Sequence, residues 1–287
     1  MTPVTPARSV GRSVNRSISR SVCRYVGLTL IVILAGSSLL AQTTLTVAAA
    51  ADMQPLMQEM VSSYEALTQN RELVTRNKGV VLVFGSSGNL TSQIENGAPY
   101  DVFFSADSGF PRRLISEGRA IADSLHVYAI GKLAIWVPAG SRLDLDHLGA
   151  KALLDPSVHK IAIANPQHAP YGRAAAEALK DLGVYDQVSS KLVLGENVSQ
   201  AAEFISSGNA QAGIVALSVV LGSKMKYGHY WIVPQQHYQP LRQAVVIVAG
   251  SKHPEAARDF VNFFLRQRDP HFLPSYGFDL PPAEEHK

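Results

Sequence analysis

Residues 79–96 read GVVLVFGSSGNLTSQIEN, and the order of residue types within them decides the fold class. The run over 79–84 is short, apolar and rich in valine, which predicts a buried strand. Gly85-Ser86-Ser87-Gly88 predicts a tight turn. Residues 89–96 then return to helical spacing, with Leu90 and Ile94 four apart. A buried strand that feeds a helix through so short a turn is half of a parallel βα unit, and recurrence of the pattern would make the chain α/β.

It recurs on both sides. Upstream, residues 44–50 predict a strand, followed by a helix from about Met53 with Leu56, Met57, Met60, Val61, Tyr64 and Leu67 on one face. Downstream, strands are predicted over 101–105, 160–164, 192–194 and 213–216, paired with helices over 110–117, 171–182, 198–206 and 217–224. Two segments read as crossings between lobes: 127–137, joined at Gly131-Lys132, and 243–249. A last helix over 254–266 has Pro254 in its first turn and Ala257, Phe260, Val261 and Phe264 on one face.

The front of the chain is different. Residues 1–41 hold Arg8, Arg12, Arg16, Arg20 and Arg24 and no acidic residue, and residues 27–41 are apolar apart from Thr29, Ser37 and Ser38. A basic segment, a short apolar run and a small residue at Ala41 predict a cleavable signal peptide over 1–41, with Gln42 at the cleavage point; a retained anchor is the competing reading. Losing the five arginines turns the formal charge of +3 into −2, which removes the electrostatic case for nucleic-acid binding. Cys23, the only cysteine, leaves with them, so no disulfide is expected. The remaining chain is long enough for a core of its own and allows one large domain or two lobes of about 120 residues each.

In open α/β sheets, ligands collect where strands end and helices begin. Four such loops have unusual content: Ala49-Ala50-Ala51-Asp52, Gly85-Ser86-Ser87-Gly88, Pro170-Tyr171-Gly172 and Glu196-Asn197-Val198-Ser199. Each puts backbone N–H groups at a helix start, where donors lack partners and the potential is positive, the arrangement that holds an anion. Neither Lys nor Arg occurs in the first, second or fourth loop. Taken singly, each has a plainer explanation: a structural turn for 85–88, a helix N-cap for Asp52, packing for Tyr171 and Val198. Only their joint occurrence points to a site.

Enzyme readings are thinner. Gly85-Ser86-Ser87-Gly88-Asn89 nearly spells the nucleophile elbow of a serine hydrolase, but Asn89 stands where a second glycine is required. Ser-x-x-Lys occurs at Ser157 and at Ser223, in unrelated settings. The nine histidines form no i, i+3 or i+4 metal pair; His168 alone falls near the loops, where it reads as solvated. Arg173 is the one candidate to fork an organic carboxylate, and otherwise reads as a solvated charge, as do Arg112, Arg113 and Glu117 unless they touch a partner.

These residues resemble a known family. The segments 47–52 (VAAAAD), 85–90 (GSSGNL), 96–107 (NGAPYDVFFSAD), 165–172 (NPQHAPYG) and 276–278 (YGF) are similar, in order and spacing, to those of the periplasmic molybdate-binding proteins of ABC transporters. The resemblance covers 45–280. It implies an α/β fold of the type II periplasmic binding protein class: two α/β lobes with a ligand cleft and two crossover segments, the first lobe being 42–128 with 240–287 and the second 129–239.

It further implies a periplasmic, monomeric, non-enzymatic protein that needs no cofactor and binds molybdate or tungstate as an oxyanion, then delivers it to permease and ATPase subunits. The ligand-binding residues it implies are Ala51 and Asp52 after the first strand, Ser87 with Ser86 beside it, and the backbone of Tyr171 and Val198. Two positions depart from the family pattern. Asp52 stands where many members have a hydroxyl, so its backbone N–H is expected to face the anion while the carboxylate turns away as a cap. Ala216 stands where some members supply a tyrosine. The same fold binding sulfate, phosphate or a small organic acid is the alternative.

Overall fold

A computed structural model of the chain describes Pro3 and residues 43–69, 77–222, 225, 227–267 and 271–282. Apart from Pro3, the expected signal peptide over 1–41 lies outside the described residues, as do the Gln42 cleavage point and the second Ser-x-x-Lys serine, Ser223.

Among the described residues eleven strands form two sheets. The first is ordered β11-β4-β10-β3-β1-β2 and the second β7-β6-β8-β5-β9. In the first, β1 (Thr43–Ala50) lies parallel between β2 (Asn77–Gly85) and β3 (Val102–Ser105), as the βα reading requires. Strand β10 (Leu241–Ile247) then pairs antiparallel with both β3 and β4 (His126–Gly131), and β11 (Phe278–Asp279) closes the edge on β4. In the second, β6 (Ile161–Ala164) lies parallel between β7 (Leu192–Gly195) and β8 (Ala212–Ala216). Strands β5 (Leu133–Val137) and β9 (His229–Ile232) extend it antiparallel.

Sheet membership changes between Gly131 and Leu133 and again between Ile232 and Leu241, so Lys132 and 233–240 are the two crossings. Residues 243–249, expected to cross, instead begin inside the first sheet. An apolar run bounded by Pro240 and Gly250 has the composition of a buried central strand, and composition alone does not separate that from a connector.

Helices cover the faces. They are α1 (Gln54–Gln69), α2 (Ser87–Glu95), α3 (Gly109–Ser116), α4 (Pro170–Asp181), α5 (Val198–Ser206), α6 (Leu217–Leu221) and α7 (Pro254–Arg266), with shorter turns between. Leu56, Met57, Met60, Val61 and Tyr64 of α1 are buried as the spacing predicts, but Leu67, in the last turn, is 49% exposed. Helix α6 ends at Leu221 rather than 224, since Gly222 leaves helical geometry. Phe260 and Phe264 of α7 pack edge-on against Phe104, with centroids 6.3 and 4.8 Å away, and so return the end of the chain to the lobe that began it. Edge-to-face rings add about 0.5–1.5 kcal/mol per pair beyond their burial. Among the described residues no helix is long and apolar enough to cross a membrane.

Candidate functional site

All six residues singled out above line one cavity. Ala51, Asp52, Ser86 and Ser87 come from the first lobe, Tyr171 and Val198 from the second, with Ala50, Gly85, Ala106, Ala169, Pro170 and Asn197 completing the wall. The cavity encloses about 10 Å³ of free space, room for about one water-sized sphere and far below the roughly 300–1,000 Å³ of pockets for drug-sized molecules. It suits a small ion. No Lys, Arg or His is among its lining residues.

The helix starts around it follow one rule: each first turn satisfies its N–H groups except one. In α2, Gly88 N–H donates to His168 O (2.9 Å), Asn89 N–H to Ser86 Oγ (3.4 Å) and Leu90 N–H to Ser86 O (3.0 Å), leaving Ser87. In α5, Asn197 Oδ1 accepts from Ser199 and Gln200 N–H (3.0 and 3.1 Å) and Asn197 O from Ala201, leaving Val198. In α4, Pro170 has no N–H, and Ala169 O accepts from Gly172 and Arg173 (3.0 and 3.1 Å), leaving Tyr171. Among the described residues no protein group accepts from the N–H of Ser87, Tyr171 or Val198, and each sits in the cavity wall. Three helix N-termini thus converge with one donor each to spare, which focuses positive potential on one spot.

A hydroxyl adds to them. Ser87 is 0% exposed, and its Oγ accepts the Ala106 N–H at 2.9 Å. That bond uses a lone pair and leaves the hydroxyl proton to donate. Ser86 Oγ, already accepting from Asn89, faces His168 Nδ1 at 2.9 Å. His168 is therefore not the solvated loop residue expected: it bridges the lobes. The pair lacks the rest of a hydrolytic triad, for no carboxylate accepts from this imidazole among the described residues.

Asp52 departs from expectation in one respect. It does not cap a helix: the residue before the short helix Ala51–Met53 is Ala50, with no side-chain cap. The carboxylate instead enters a buried polar group. Gln243 Nε2 donates to Asp52 Oδ2 at 2.6 Å and lies 3.3 Å from the Tyr171 hydroxyl, while Tyr128 Oη donates to Gln243 Oε1 at 3.2 Å. Asp52 and Gln243 are both 0% exposed. Burial pushes the Asp52 pKa up to about 6, against the opposing pull of Tyr171, Gln243 and the backbone N–H groups of Asp52 and Met53. Burial, and then the Asp52 charge, also hold the Tyr128 and Tyr171 hydroxyls well above their usual range and therefore neutral. Gln243 was not foreseen; a lone amide within an apolar strand was the signal available. Gly131 makes room for the group, since a Cβ there would overlap the Tyr171 hydroxyl.

The lobes are pinned together around the cavity. Ser199 Oγ donates to Ala51 O (3.1 Å), Ser218 Oγ to Asp52 O (2.8 Å) and Asn89 Nδ2 to Glu196 Oε1 (3.0 Å). Arg173 pairs with Asp107 of the opposite lobe, so it neither forks a ligand nor stands alone in solvent. Arg113 likewise pairs with Glu95 and Glu117. Among the described residues no group of three or more His, Cys, Asp or Glu is placed to hold a metal ion.

Two sheet-based lobes closed over a cavity of helix N-termini define a two-lobed binding protein. Residues 45–279 match the family described as bacterial extracellular solute-binding protein, and the chain belongs to that family. It is 39% identical over 199 residues to the molybdate-binding protein ModA of Rhodobacter capsulatus, spanning 69% of this chain and 77% of that one. It is 36% identical over 259 residues to ModA of Azotobacter vinelandii, spanning 88% and 98%. The solved periplasmic molybdate-binding protein of Azotobacter vinelandii superposes with a TM-score of 0.75 at 32% identity, covering 83% of this chain and all of that one.

Proposed function

We propose that this protein binds molybdate, with tungstate as its second ligand, in the cavity formed by Ala51, Asp52, Ser86, Ser87, Tyr171 and Val198, and passes it unchanged to the permease and ATPase subunits of an ABC transporter. The observation that carries the reading is the set of three unsatisfied N–H groups at Ser87, Tyr171 and Val198, one from each converging helix. Such donors, with the Ser87 hydroxyl, complement a tetrahedral dianion without a cationic side chain. Names carried by relatives at 36–39% identity favour molybdate among the tetrahedral oxyanions.

Discrimination against sulfate then rests on size. Sulfate has the same charge and shape with shorter bonds to oxygen, so a cavity held at the larger dimension leaves its hydrogen bonds long. The interlobe bonds at Ala51, Asp52 and Gly88 would supply that rigidity. The lobes, expected as 42–128 with 240–287 and 129–239, are read as moving about joints at Lys132 and 233–240, which leaves 129–131 with the first lobe, and the protein is read as a monomer. Residues 1–41 are read as a signal peptide that sends it to the periplasm.

Titration calorimetry of the purified protein with molybdate, tungstate, sulfate and phosphate tests this. Tight binding of the first two with no heat from the others is expected. Heat from sulfate or phosphate alone would move the ligand, and silence from all four would remove the oxyanion reading.

A further inference from the structure

The cavity contains a contradiction in charge. Asp52 lines it, is 0% exposed, and has one carboxylate oxygen, Oδ1, buried with no donor in hydrogen-bond geometry among the described residues, although the backbone N–H groups of Asp52 and Met53 favour its charge from nearby. The other oxygen takes the Gln243 amide. An ionised carboxylate in that wall would put a third negative charge against a dianion with no counter-charge nearby. The groups that face Asp52 are known from each element packed against it. Gln243 on β10 is neutral, the Tyr171 hydroxyl on α4 stands close enough to pull the Asp52 pKa down, Tyr128 on β4 acts through Gln243, and Ser218 on α6 bonds the main-chain oxygen. Both tyrosines are held neutral by burial. His168 meets Ser86 rather than Asp52.

We infer that the oxyanion is taken up together with one proton, which comes to rest on Asp52 Oδ1 and makes this residue a hydrogen-bond donor to the anion. The inference rests on the oxyanion reading above. The balance is simple: a dianion and a proton from solvent enter, the carboxylate becomes a carboxylic acid, and the occupied cavity carries −2 in place of −3. The position of Asp52 near its midpoint at mildly acidic pH agrees with this, because burial alone has already raised its pKa to about 6 and an adjacent dianion raises it further. One consequence is a preference among ligands. An Asp52 that donates favours oxyanions that are fully deprotonated at neutral pH, as molybdate, tungstate and sulfate are; an Asp52 that stays ionised and accepts would favour hydrogen phosphate.

The test is molybdate calorimetry on the full protein at pH 8 in two buffers of different ionisation enthalpy, with the dissociation constant followed from pH 5.5 to 8.5. Uptake close to one proton per anion at pH 8 is expected, with affinity falling about tenfold per unit above pH 7. Asp52→Asn should abolish both the uptake and the pH slope and bind molybdate more tightly than the native protein at pH 8.5. The buffer comparison stands on the native protein alone should that variant fail to fold. Binding with no proton uptake, or hydrogen phosphate bound in preference to molybdate, would overturn the inference while leaving an oxyanion site in place. Absence of binding at every pH would sink the oxyanion reading itself and this inference with it.

Discussion

Ser86 Oγ and His168 Nδ1 meet at 2.9 Å across the two lobes. The serine oxygen already accepts the Asn89 N–H, so the position of the imidazole proton decides what its hydroxyl can do. With the proton on Nδ1, the imidazole donates and the serine hydrogen is left for the cavity. With it on Nε2, the serine hydrogen is spent on the imidazole. His168 thus orients a donor that the anion can use only in one tautomer.

Replacing His168 by Ala is expected to weaken molybdate binding by about 1 kcal/mol, the usual net worth of one hydrogen bond. Titration calorimetry reads the loss. The native protein is expected to hydrolyse an activated ester no faster than buffer, and turnover abolished by Ser86→Ala would instead establish a hydrolase.

Ser87→Ala removes both the acceptor of the Ala106 N–H and the hydroxyl donor of the cavity. A loss of roughly 1–3 kcal/mol in molybdate affinity is expected, the range for hydrogen bonds to charged groups. An unchanged dissociation constant would remove Ser87 from the site.

Gly88 lets α2 touch the opposite lobe, since a Cβ there would lie 2.6 Å from His168 O and 3.0 Å from its Cα. Gly88→Ala is therefore expected to hold the lobes apart. Molybdate affinity should drop by at least tenfold, about 1.4 kcal/mol. The ligand-free protein should melt within a few degrees of the native one, because the clash lies between lobes and not within a core. Equal affinity would mean that the 165–170 loop yields.

Asp52 also sets a pH dependence of stability. Its folded pKa, about 6, lies above the ordinary 3.8. Its burial therefore costs nothing below about pH 4, where both states are protonated. The cost grows as the pH rises toward 6 and is complete above it. Asp52→Asn should match the native protein near pH 4 and exceed it in denaturant stability by at most about 3 kcal/mol at pH 8. Parallel stability curves for the two proteins across that range would show that the carboxylate is not held in this environment.

Much of this protein is determined by order along the chain. The alternation of apolar runs and helical spacing fixes α/β units, because each strand must bury two faces and each helix one. Gly85-Ser86-Ser87-Gly88 after a valine-rich strand locates a helix start, and four such starts mark where an anion would be held. What sequence order does not contain is which residues from distant loops share a wall. Gln243 reaches Asp52 only because β10 inserts between β3 and β4, and that insertion depends on long-range pairing that leaves no local signal. The partner of the Asp52 carboxylate is hidden for the same reason: a cap is a local partner and Gln243 a tertiary one. The bridge from His168 to Ser86 and the pairing of Arg173 with Asp107 likewise exist only once two lobes close, when groups that each look solvated find one another.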